Sequence, residues 1–428
     1  MKKTYFLVTL GCPKNEIDSE AVESDLVSSG MAKAADSRDA DLVIVNSCGF
    51  INDAKIESIH TVLDLHQDRK PGSVFVMCGC LPARYSLSRS LDEVDIFLPW
   101  NKHQELVPRL QEIGWQIGIR SSERHRMPPR SPFGYLRISE GCDNRCAYCA
   151  IPDIKGPFTS RPLQEILDEA HYLCDNGVRE LVLIGQDTTL YGKSGDGRAG
   201  LGVLIDKLSE TSCEWIRLMY AHPAHLNEQI IDAMAGGVKI VKYLDLPLQH
   251  ISDRLLGKMN RKVTRSLVER LISELRRAMP EIVLRTTFIV GFPGETDSEF
   301  EELLDFCESR EFDNVGIFKY SPEEGTPAYN FRGRLEEAEI EERYLTLLDV
   351  QNMISEKKLR RRVNSIERVL LQSFDSDGRG LARGWFQAPE VDGSVIVENC
   401  LAEPGNFVDV VVERSEAYDL FARQIEER

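Results

Sequence analysis

The sequence lacks any apolar run approaching the roughly 18 residues of a membrane-spanning helix, and its start, Met1-Lys2-Lys3, lacks the hydrophobic stretch of a signal peptide. Basic residues are also scarce, since 52 Lys and Arg stand against 69 Asp and Glu, a formal charge of −17. Because a broad nucleic-acid surface needs Lys and Arg to displace counterions, this charge disfavours one. We therefore expect a cytoplasmic protein with no membrane partner, which binds another protein or small molecules.

The cysteine content does not suit a disulfide framework. There are 11 cysteines, an odd number, and a reducing compartment would keep them as thiols. We interpret them as metal ligands and core residues. With 428 residues, of which 42% are hydrophobic and 28% charged, the composition is typical of a globular protein of roughly two to four domains.

The most informative stretch is S-E-G-C-D-N-R-C-A-Y-C-A-I-P at residues 139–152, which places Cys142, Cys146 and Cys149 in a Cys-x3-Cys-x2-Cys array. A structural zinc site needs four protein ligands, whereas this array offers three thiolates and no histidine. Soft sulfur ligands favour an iron–sulfur cluster, and three of them leave one iron open to a small molecule. The alternative is a chance group of buried cysteines. It fits poorly, because glycine, proline and charged residues around the array indicate an exposed loop.

This spacing, with the aromatic Tyr148 just before the third cysteine, resembles the signature of the radical S-adenosylmethionine (SAM) enzymes. The resemblance implies a 4Fe-4S cluster bound by Cys142, Cys146 and Cys149, with SAM chelated to the open iron. It further implies that a reducing electron donor drives cleavage of SAM to a 5′-deoxyadenosyl radical. These three cysteines are therefore the predicted catalytic centre.

The first hundred residues alternate apolar strand-like runs with helical segments, which predicts a doubly wound parallel sheet. Strands are predicted at residues 4–10, 41–46, 73–77 and 94–98, and helices at residues 16–29, 53–66 and 83–91. Cys12, Cys48, Cys78 and Cys80 follow the first three strands, at the edge where open α/β sheets build their sites. Core thiols, or a Cys-x-Cys redox pair, are the alternative interpretation.

The same cysteines resemble those of the methylthiotransferases, a radical SAM subfamily whose N-terminal domain holds a second, auxiliary 4Fe-4S cluster. The resemblance rests on three short motifs, Gly11-Cys12-Pro13-Lys14-Asn15, Asn46-Ser47-Cys48-Gly49 and Gly79-Cys80-Leu81. It implies that Cys12, Cys48 and Cys80 bind the auxiliary cluster. Cys80 is preferred to Cys78 because the family's third ligand follows a glycine and here precedes Leu81. A thiol two residues away could still substitute.

A Pro-rich polar stretch at residues 121–134 predicts a domain boundary. Six further strands are predicted beyond it, at residues 135–138, 180–184, 215–220, 242–246, 282–290 and 314–320. Periodicity does not distinguish a second open sheet from a partial barrel, whereas the family resemblance implies a partial (β/α)6 radical SAM barrel.

The last part of the chain changes character. Residues 335–362 begin acidic and end basic, an order that complements the dipole of a long helix. Short β-rich runs at residues 368–374, 380–387, 394–397 and 406–413 then predict a small antiparallel β-barrel, which is TRAM-like by resemblance. The expected domains are thus residues 1–120, 135–362 and 363–428.

Loops after the strands of a β/α barrel carry its chemistry, so the predicted strand ends supply candidate SAM contacts. Polar side chains after the second strand suit the ammonium and carboxylate of an amino acid, and glycines after the fifth strand allow close approach of an adenosine-sized ligand. Arg285, on the fifth strand, could point into the barrel toward a carboxylate or extend from its helix-covered face. The predicted cofactor contacts are Tyr148, Gln186, Asp187, Gln249, Arg285, Gly291 and Gly294.

Residues 363–428 carry 13 acidic and 6 basic side chains, a balance of −7, which makes a poor clamp for RNA. This acidity and the Gly11–Asn15 motif resemble the ribosomal-protein branch of the methylthiotransferases. The resemblance implies methylthiolation of the β-carbon of an aspartate in small-subunit ribosomal protein twelve, with one SAM as methyl donor and one as radical source. The expected partner is that protein, or the subunit displaying it, and little tRNA affinity is expected. The alternatives are a tRNA adenosine methylthiotransferase and a non-catalytic iron–sulfur scaffold for ribosome assembly.

Overall fold

The computed structural model describes residues 2–87, 90–118, 126–193 and 200–425. Contacts between residues divide the chain into two compact units. The first comprises Met1–Pro128, Tyr148–Pro157 and Ser321–Tyr329, and the second comprises Pro129–Ala147, Phe158–Tyr320 and Asn330–Arg428. This division adds two later segments to the N-terminal region and keeps the C-terminal barrel with the central sheet. The three domain ranges expected from the sequence remain predictions.

The first unit contains a five-stranded parallel sheet in the order β2-β1-β3-β4-β5. Its strands are β1 Thr4–Thr9, β2 Ala32–Lys33, β3 Leu42–Ser47, β4 Val74–Gly79 and β5 Ile96–Pro99. Its helices are α1 Pro13–Ser28, α2 Asn52–Asp68, α3 Cys80–Arg84 and α4 Leu106–Glu112. The helix predicted at residues 83–91 is therefore wrong in position, because the helix begins at Cys80 itself; residues 88–89 lie outside the described part.

The centre of the N-terminal sheet, at β3 and β4, is buried on both faces, as expected for parallel strands covered by helices. All six residues of β3 are buried. Its alternate residues point to opposite sides, so that Leu42 and Ile44 pack in one core and Val43 and Val45 in another. The doubly wound sheet predicted from the sequence is confirmed. The short β2 was missed because two residues carry no periodic pattern.

The second unit contains a six-stranded parallel sheet in the order β13-β12-β11-β10-β9-β6. The strands are β6 Phe133–Arg137, β9 Glu180–Ile184, β10 Trp215–Leu218, β11 Ile240–Asp245, β12 Val283–Val290 and β13 Asn314–Lys319. Two short strands, β7 Ser139–Glu140 and β8 Thr159–Ser160, pair separately. The helices are α5 Ile151–Lys155, which lies in the first unit, and α6 Leu163–Asp175, α7 Leu201–Leu208, α8 Glu228–Gly236, α9 Asp253–Lys258, α10 Arg265–Ala278 and α11 Asp297–Arg310.

Each strand of this sheet lies beside its neighbour in sequence, and the pairs in the described residues leave β6 and β13 as edges. Such an open, sequentially ordered sheet is the partial (β/α)6 barrel that the resemblance implies, and this prediction is confirmed. Within the described residues, no helix is long and apolar enough to cross a membrane.

Helix α12 Glu337–Arg360 leads to a closed β-barrel in the order β14-β15-β16-β18-β17. The strands are β14 Ile366–Phe374, β15 Gly380–Gly384, β16 Val395–Glu398, β17 Phe407–Ser415 and β18 Leu420–Gln424. The predicted small barrel is confirmed. No strand was predicted at β18, whose parallel pairing with β16 closes the barrel.

The C-terminal barrel contacts the central sheet at the amino ends of its strands through buried charges. Glu180, the first residue of β9, accepts hydrogen bonds from Arg217 of β10 and from Arg383 of β15, each at 2.6 Å. Nearby, Asp392 accepts from Arg285 at 2.8 Å and from the Tyr243 hydroxyl at 2.7 Å. The opposite, carboxyl edge of the sheet carries the loops expected to hold the site.

Candidate active site

The first unit brings Cys12, Cys48 and Cys80 together at the carboxyl edge of its sheet. Cys12 follows β1, Cys48 follows β3, and Cys80 begins α3 after β4. A Cβ atom on Gly11, whose φ is +96°, would lie only 2.8 Å from the Cβ of Cys48, so glycine is needed for this close approach. Cys12 and Cys48 both lie near enough to Cys80 to raise the pKa of its thiol beyond the effect of burial.

Polar side chains fix the loops that carry these cysteines. The amide of Asn15 donates to the carbonyls of Leu10 at 2.8 Å and Ser47 at 3.2 Å, and its Oδ1 lies 3.6 Å from Cys80 Sγ. The hydroxyl of Ser58 accepts from the Cys48 N–H and donates to the Cys48 carbonyl. The motif signalled Asn15, but nothing in the sequence signalled Ser58, which lies within α2.

The structure distinguishes Cys80 from Cys78. Cys78 lies inside β4 opposite Asn46 and packs in the hydrophobic core, where burial raises the pKa of its thiol to about 12. The chain then turns at Gly79, whose φ of +101° and ψ of −148° suit only glycine. A Cβ there would lie 2.3 Å from Asn46 Oδ1. This turn places Cys80, and not Cys78, beside the other two cysteines.

The donor set fits an iron–sulfur cluster better than a single ion. Within the described residues, these three sulfurs are not all within 4.8 Å of one another, the spacing compatible with one shared ion. In a cubane each thiolate binds a different iron, so wider spacing is expected. Burial raises the pKa of Cys48, and that of Cys80 to about 12, so binding iron must displace their protons.

In the second unit, Cys142 and Cys146 are buried in the loop that follows β7. Residues 259–261 hold this loop, since the Met259 carbonyl accepts from Ala147 N at 2.8 Å and Asn260 Nδ2 donates to the Arg145 carbonyl at 2.6 Å. The guanidinium of Arg261 lies 3.7 Å from Cys146 Sγ. No sequence pattern identifies Arg261 as a site residue. Tyr148 and Cys149, which complete the array in sequence, fall in the first unit.

Gln186 and Asp187 follow β9 beside this loop, and they differ in what they offer a ligand. Gln186 Nε2 donates to Glu140 at 2.5 Å, while its Oε1 is buried with no hydrogen-bond partner in the described structure. That oxygen fits an ammonium group of a cofactor such as SAM.

Asp187 has both carboxylate oxygens occupied. Oδ1 accepts from the backbone and hydroxyl of Thr189, and Oδ2 accepts from Asn144 at 2.8 Å and lies 2.7 Å from His225 Nδ1. Burial raises the pKa of Asp187, but the hydrogen bonds from His225 and Thr189 outweigh it and leave the pKa lowered. Asp187 therefore positions the Cys142–Cys146 loop through Asn144 and does not present a free carboxylate.

Three further predicted cofactor contacts, Gln249, Gly291 and Gly294, lie in the loops after β11 and β12. Gln249 follows β11 with a φ of +76°, and its backbone bonds to Thr287 and Ile289 of β12. The space beside Gly291 is filled by Ile340, and that beside Gly294 by the end of Lys258. These glycines thus allow the close approach of the chain's own side chains. Their contact with SAM remains a prediction.

Arg285 lies away from these loops. It is the third residue of β12, and it donates to Asp392 at the amino end of the sheet. Both side chains are largely buried. Because its guanidinium is occupied there, Arg285 is not among the residues that we propose for cofactor binding.

Comparison with known sequence families gives three consecutive matches. Residues 4–99 match the Uncharacterized protein family UPF0004, residues 136–307 match the Radical SAM superfamily, and residues 365–425 match the TRAM domain. The matched ranges follow the N-terminal sheet, the central sheet and the closed C-terminal barrel.

Several curated relatives share the whole length of the chain. One is "Ribosomal protein uS12 methylthiotransferase RimO" of Geotalea uraniireducens, 41% identical over 98% of both chains. A relative with the same name from Geobacter sulfurreducens is 40% identical over 99% of both chains. Another, from Acetivibrio thermocellus, is 37% identical over 100% of this chain and 99% of the relative.

Solved structures support the fold alone, since identities are low. The radical S-adenosylmethionine methyltransferase TsrM from Kitasatospora setae aligns with a TM-score of 0.57 at 16% identity, covering 76% of this chain and 75% of that one. The cobalamin-dependent S-adenosylmethionine radical enzyme OxsB aligns with a TM-score of 0.52 at 13% identity, covering 82% and 56%.

Proposed function

Because the chain belongs to the ribosomal protein uS12 methylthiotransferase family, we propose that it is a radical SAM enzyme that adds a methylthio group to uS12. The acceptor is the β-carbon of an aspartate, with one SAM as methyl donor and a second as radical source. The observation that carries this proposal is the convergence of Cys12, Cys48 and Cys80 at one sheet edge, in addition to the separate array at Cys142, Cys146 and Cys149.

The chemistry explains why such an enzyme would need these groups. The C–H bond at the acceptor carbon is not acidic enough for a side-chain base, so it must be broken by a radical. Cys142, Cys146 and Cys149 would hold a cluster that, with SAM bound, would supply the radical chemistry needed to remove a hydrogen atom. The protein's task there is to hold the ligand loop still and to exclude water from the reactive carbon.

Particular residues perform these tasks in our proposal. Gln186 Oε1, buried and without a partner, accepts a hydrogen bond from the SAM ammonium. Asp187 holds Asn144, and with it the cysteine loop. Arg261, 3.7 Å from Cys146 Sγ, balances the charge of the thiolate. At the other site, Cys12, Cys48 and Cys80 would hold the auxiliary cluster.

The partner is proposed from charge. In this proposal, uS12 docks to acidic side chains that form no ion pair within this chain. Asp392 is excluded because it pairs with Arg285. On the C-terminal barrel, Glu413 and Glu416 already pair with arginines. Glu398, Glu403 and Asp409 have no ion pair within the described residues, and the last two are exposed. We propose that these three attract a basic ribosomal protein and repel tRNA, mainly affecting association rate.

The decisive experiment uses the full chain, reconstituted anaerobically with iron and sulfide and supplied with SAM and a strong reductant. Incubation with uS12, or with the small subunit displaying it, should yield 5′-deoxyadenosine and a methylthio mass increase on one aspartate. Replacement of Cys12, Cys48 and Cys80 with Ala should preserve 5′-deoxyadenosine formation and abolish the mass increase. A scaffold would form no 5′-deoxyadenosine, and modification of tRNA instead of uS12 would overturn the substrate assignment.

Docking is tested separately by titrating uS12 across salt concentration. The Glu398→Gln, Glu403→Gln, Asp409→Asn variant should bind more weakly at low salt. A control with Glu398→Asp, Glu403→Asp and Asp409→Glu, which keeps the charge at each position, should bind like wild type. Tight, salt-sensitive binding of tRNA to wild type would contradict the proposal.

A further inference from the structure

A buried ion pair lies beside the proposed auxiliary cluster site, within the first unit. Lys155 Nζ is 3.2 Å from Asp18 Oδ2, and the two side chains are only 2% and 5% exposed. Lys155 ends α5, which follows the Cys149 segment in the chain, while Asp18 lies on α1, the helix that begins after Cys12. Buried charges are costly, so a pair enclosed to this degree calls for an explanation.

The surroundings of Lys155 hold its ammonium in one place. The indole ring of Trp100 lies beneath it, with the ring centroid 3.8 Å from Nζ, and the Trp100 Nε1 donates to the Ile154 carbonyl at 2.8 Å. Ala150 and Ile154 of the same segment pack in one hydrophobic cluster with Cys80. The helix that carries the ammonium is therefore packed directly against a proposed ligand.

The ammonium acts electrostatically on that ligand. Lys155 lies on the helix α5 that packs against Cys80, and its partner Asp18 lies on the helix α1 that begins directly after Cys12. The carboxylate of Asp18 carries the opposite charge 3.2 Å from this ammonium. Because the interior dielectric is low, a fixed charge here affects any change of charge at the cysteines more strongly than it would in water.

We propose that Lys155 and Asp18 are positioning residues that set the reduction potential of the iron–sulfur cluster held by Cys12, Cys48 and Cys80. Adding an electron makes the cluster more negative, so the ammonium favours the reduced state and the carboxylate opposes it. Because the two charges are opposite, the pair limits the net effect on the cluster. This inference rests on the proposed function, which supplies the cluster.

The test isolates that cluster by replacing Cys142, Cys146 and Cys149 with Ala in the full chain. Its midpoint potential is then measured by an anaerobic redox titration, followed by electron paramagnetic resonance of the reduced state. Lys155→Met should lower the midpoint potential, Asp18→Asn should raise it, and the double variant should lie between them. Lys155→Arg, which keeps the charge, should stay near the parent value.

Lys102→Met serves as the control, since Lys102 is half exposed and pairs with Glu105 on the surface of the same unit. If Lys155→Met loses its iron, the upward shift in Asp18→Asn still decides the question. Unchanged potentials in iron-loaded Lys155→Met or Asp18→Asn would overturn the inference, as would shifts of equal size in Lys102→Met. Absence of any cluster in the parent chain would instead overturn the proposed function.

Discussion

We expect replacement of Glu180 to destabilise the second unit strongly, because one carboxylate there holds two buried arginines. Arg217 and Arg383 each donate to it at 2.6 Å, and all three side chains are almost completely inaccessible to solvent. Removing one partner of a buried pair costs about 3–5 kcal/mol, since an uncompensated charge remains. Glu180→Gln keeps the shape and loses the charge, and should lower the free energy of unfolding by about that amount.

The assay is equilibrium urea unfolding at pH 7, with Glu214→Gln as the matched control. Glu214 also joins two arginines, Arg179 and Arg368, but these side chains are partly exposed. Exposed pairs contribute about 0–1 kcal/mol, so the control should change little. Equal losses in the two variants would refute the reasoning, because burial would then not determine the cost.

Two further measurements sharpen this prediction. Replacing Glu180, Arg217 and Arg383 together with Met should recover most of the lost stability, because apolar residues of similar size often replace a buried ion network without loss. Hydrogen exchange should show the loss in Glu180→Gln at β15, which carries Arg383, and at the amino ends of β9 and β10.

The same carboxylate makes the stability depend on pH. Burial raises the pKa of Glu180, but Arg217 and Arg383 outweigh it and leave the pKa below its ordinary value. A carboxyl whose pKa is lowered by folding stabilises the fold above its unfolded-state pKa, about 4.3 for Glu. This contribution is lost as the pH falls from there toward the folded-state pKa. Wild type should therefore lose stability more steeply than Glu180→Gln in this acidic range.

Three other outcomes are expected. Cys80→Ala should lose about four of about eight irons after reconstitution, whereas Cys78→Ala should keep them, and the reverse iron counts would identify Cys78 as the ligand. Asp187→Asn should slow 5′-deoxyadenosine formation at unchanged iron content, because an amide cannot accept all the hydrogen bonds that the carboxylate accepts; an unchanged rate would contradict its positioning role. Gly79→Ala should give little folded protein, because its Cβ would meet Asn46 at 2.3 Å. The control Gly72→Ala, at a φ of +78° with open space around the new Cβ, should lower the free energy of unfolding by only about 1–2 kcal/mol, measured by thermal unfolding.

Much of the fold could be predicted because its signals are local. Apolar runs such as Leu42–Ser47, in the N-terminal sheet, identify buried parallel strands by composition. In the central sheet, the strands follow one another across the sheet in the order of the chain. Strands without such a run were missed, as β2 and β18 were. The helix after β4 begins at Cys80 and not at residue 83, because the turn at Gly79 leads directly into it.

The cysteines of the site could be predicted because cluster ligands recur at characteristic spacings in the sequence. The residues that contact and hold these cysteines could not be predicted. Ser58 holds Cys48 from ten residues away, and Arg261 approaches Cys146 from more than a hundred residues away. Neither residue type is unusual in its own segment. Such partners are defined by tertiary packing, which a single sequence does not encode in any local pattern.

Arg285 shows that the position of a strand residue depends on both the face of the sheet and the distance along the strand. Alternation predicts the face of the sheet to which a side chain points, but not its height between the two edges. Arg285 is the third residue of the eight in β12, and at about 3.3 Å per residue it lies about 16 Å before Val290, the last residue of the strand. A guanidinium does not reach across that distance. The arginine is therefore left at the amino edge, where Asp392 of the C-terminal barrel supplies its carboxylate partner.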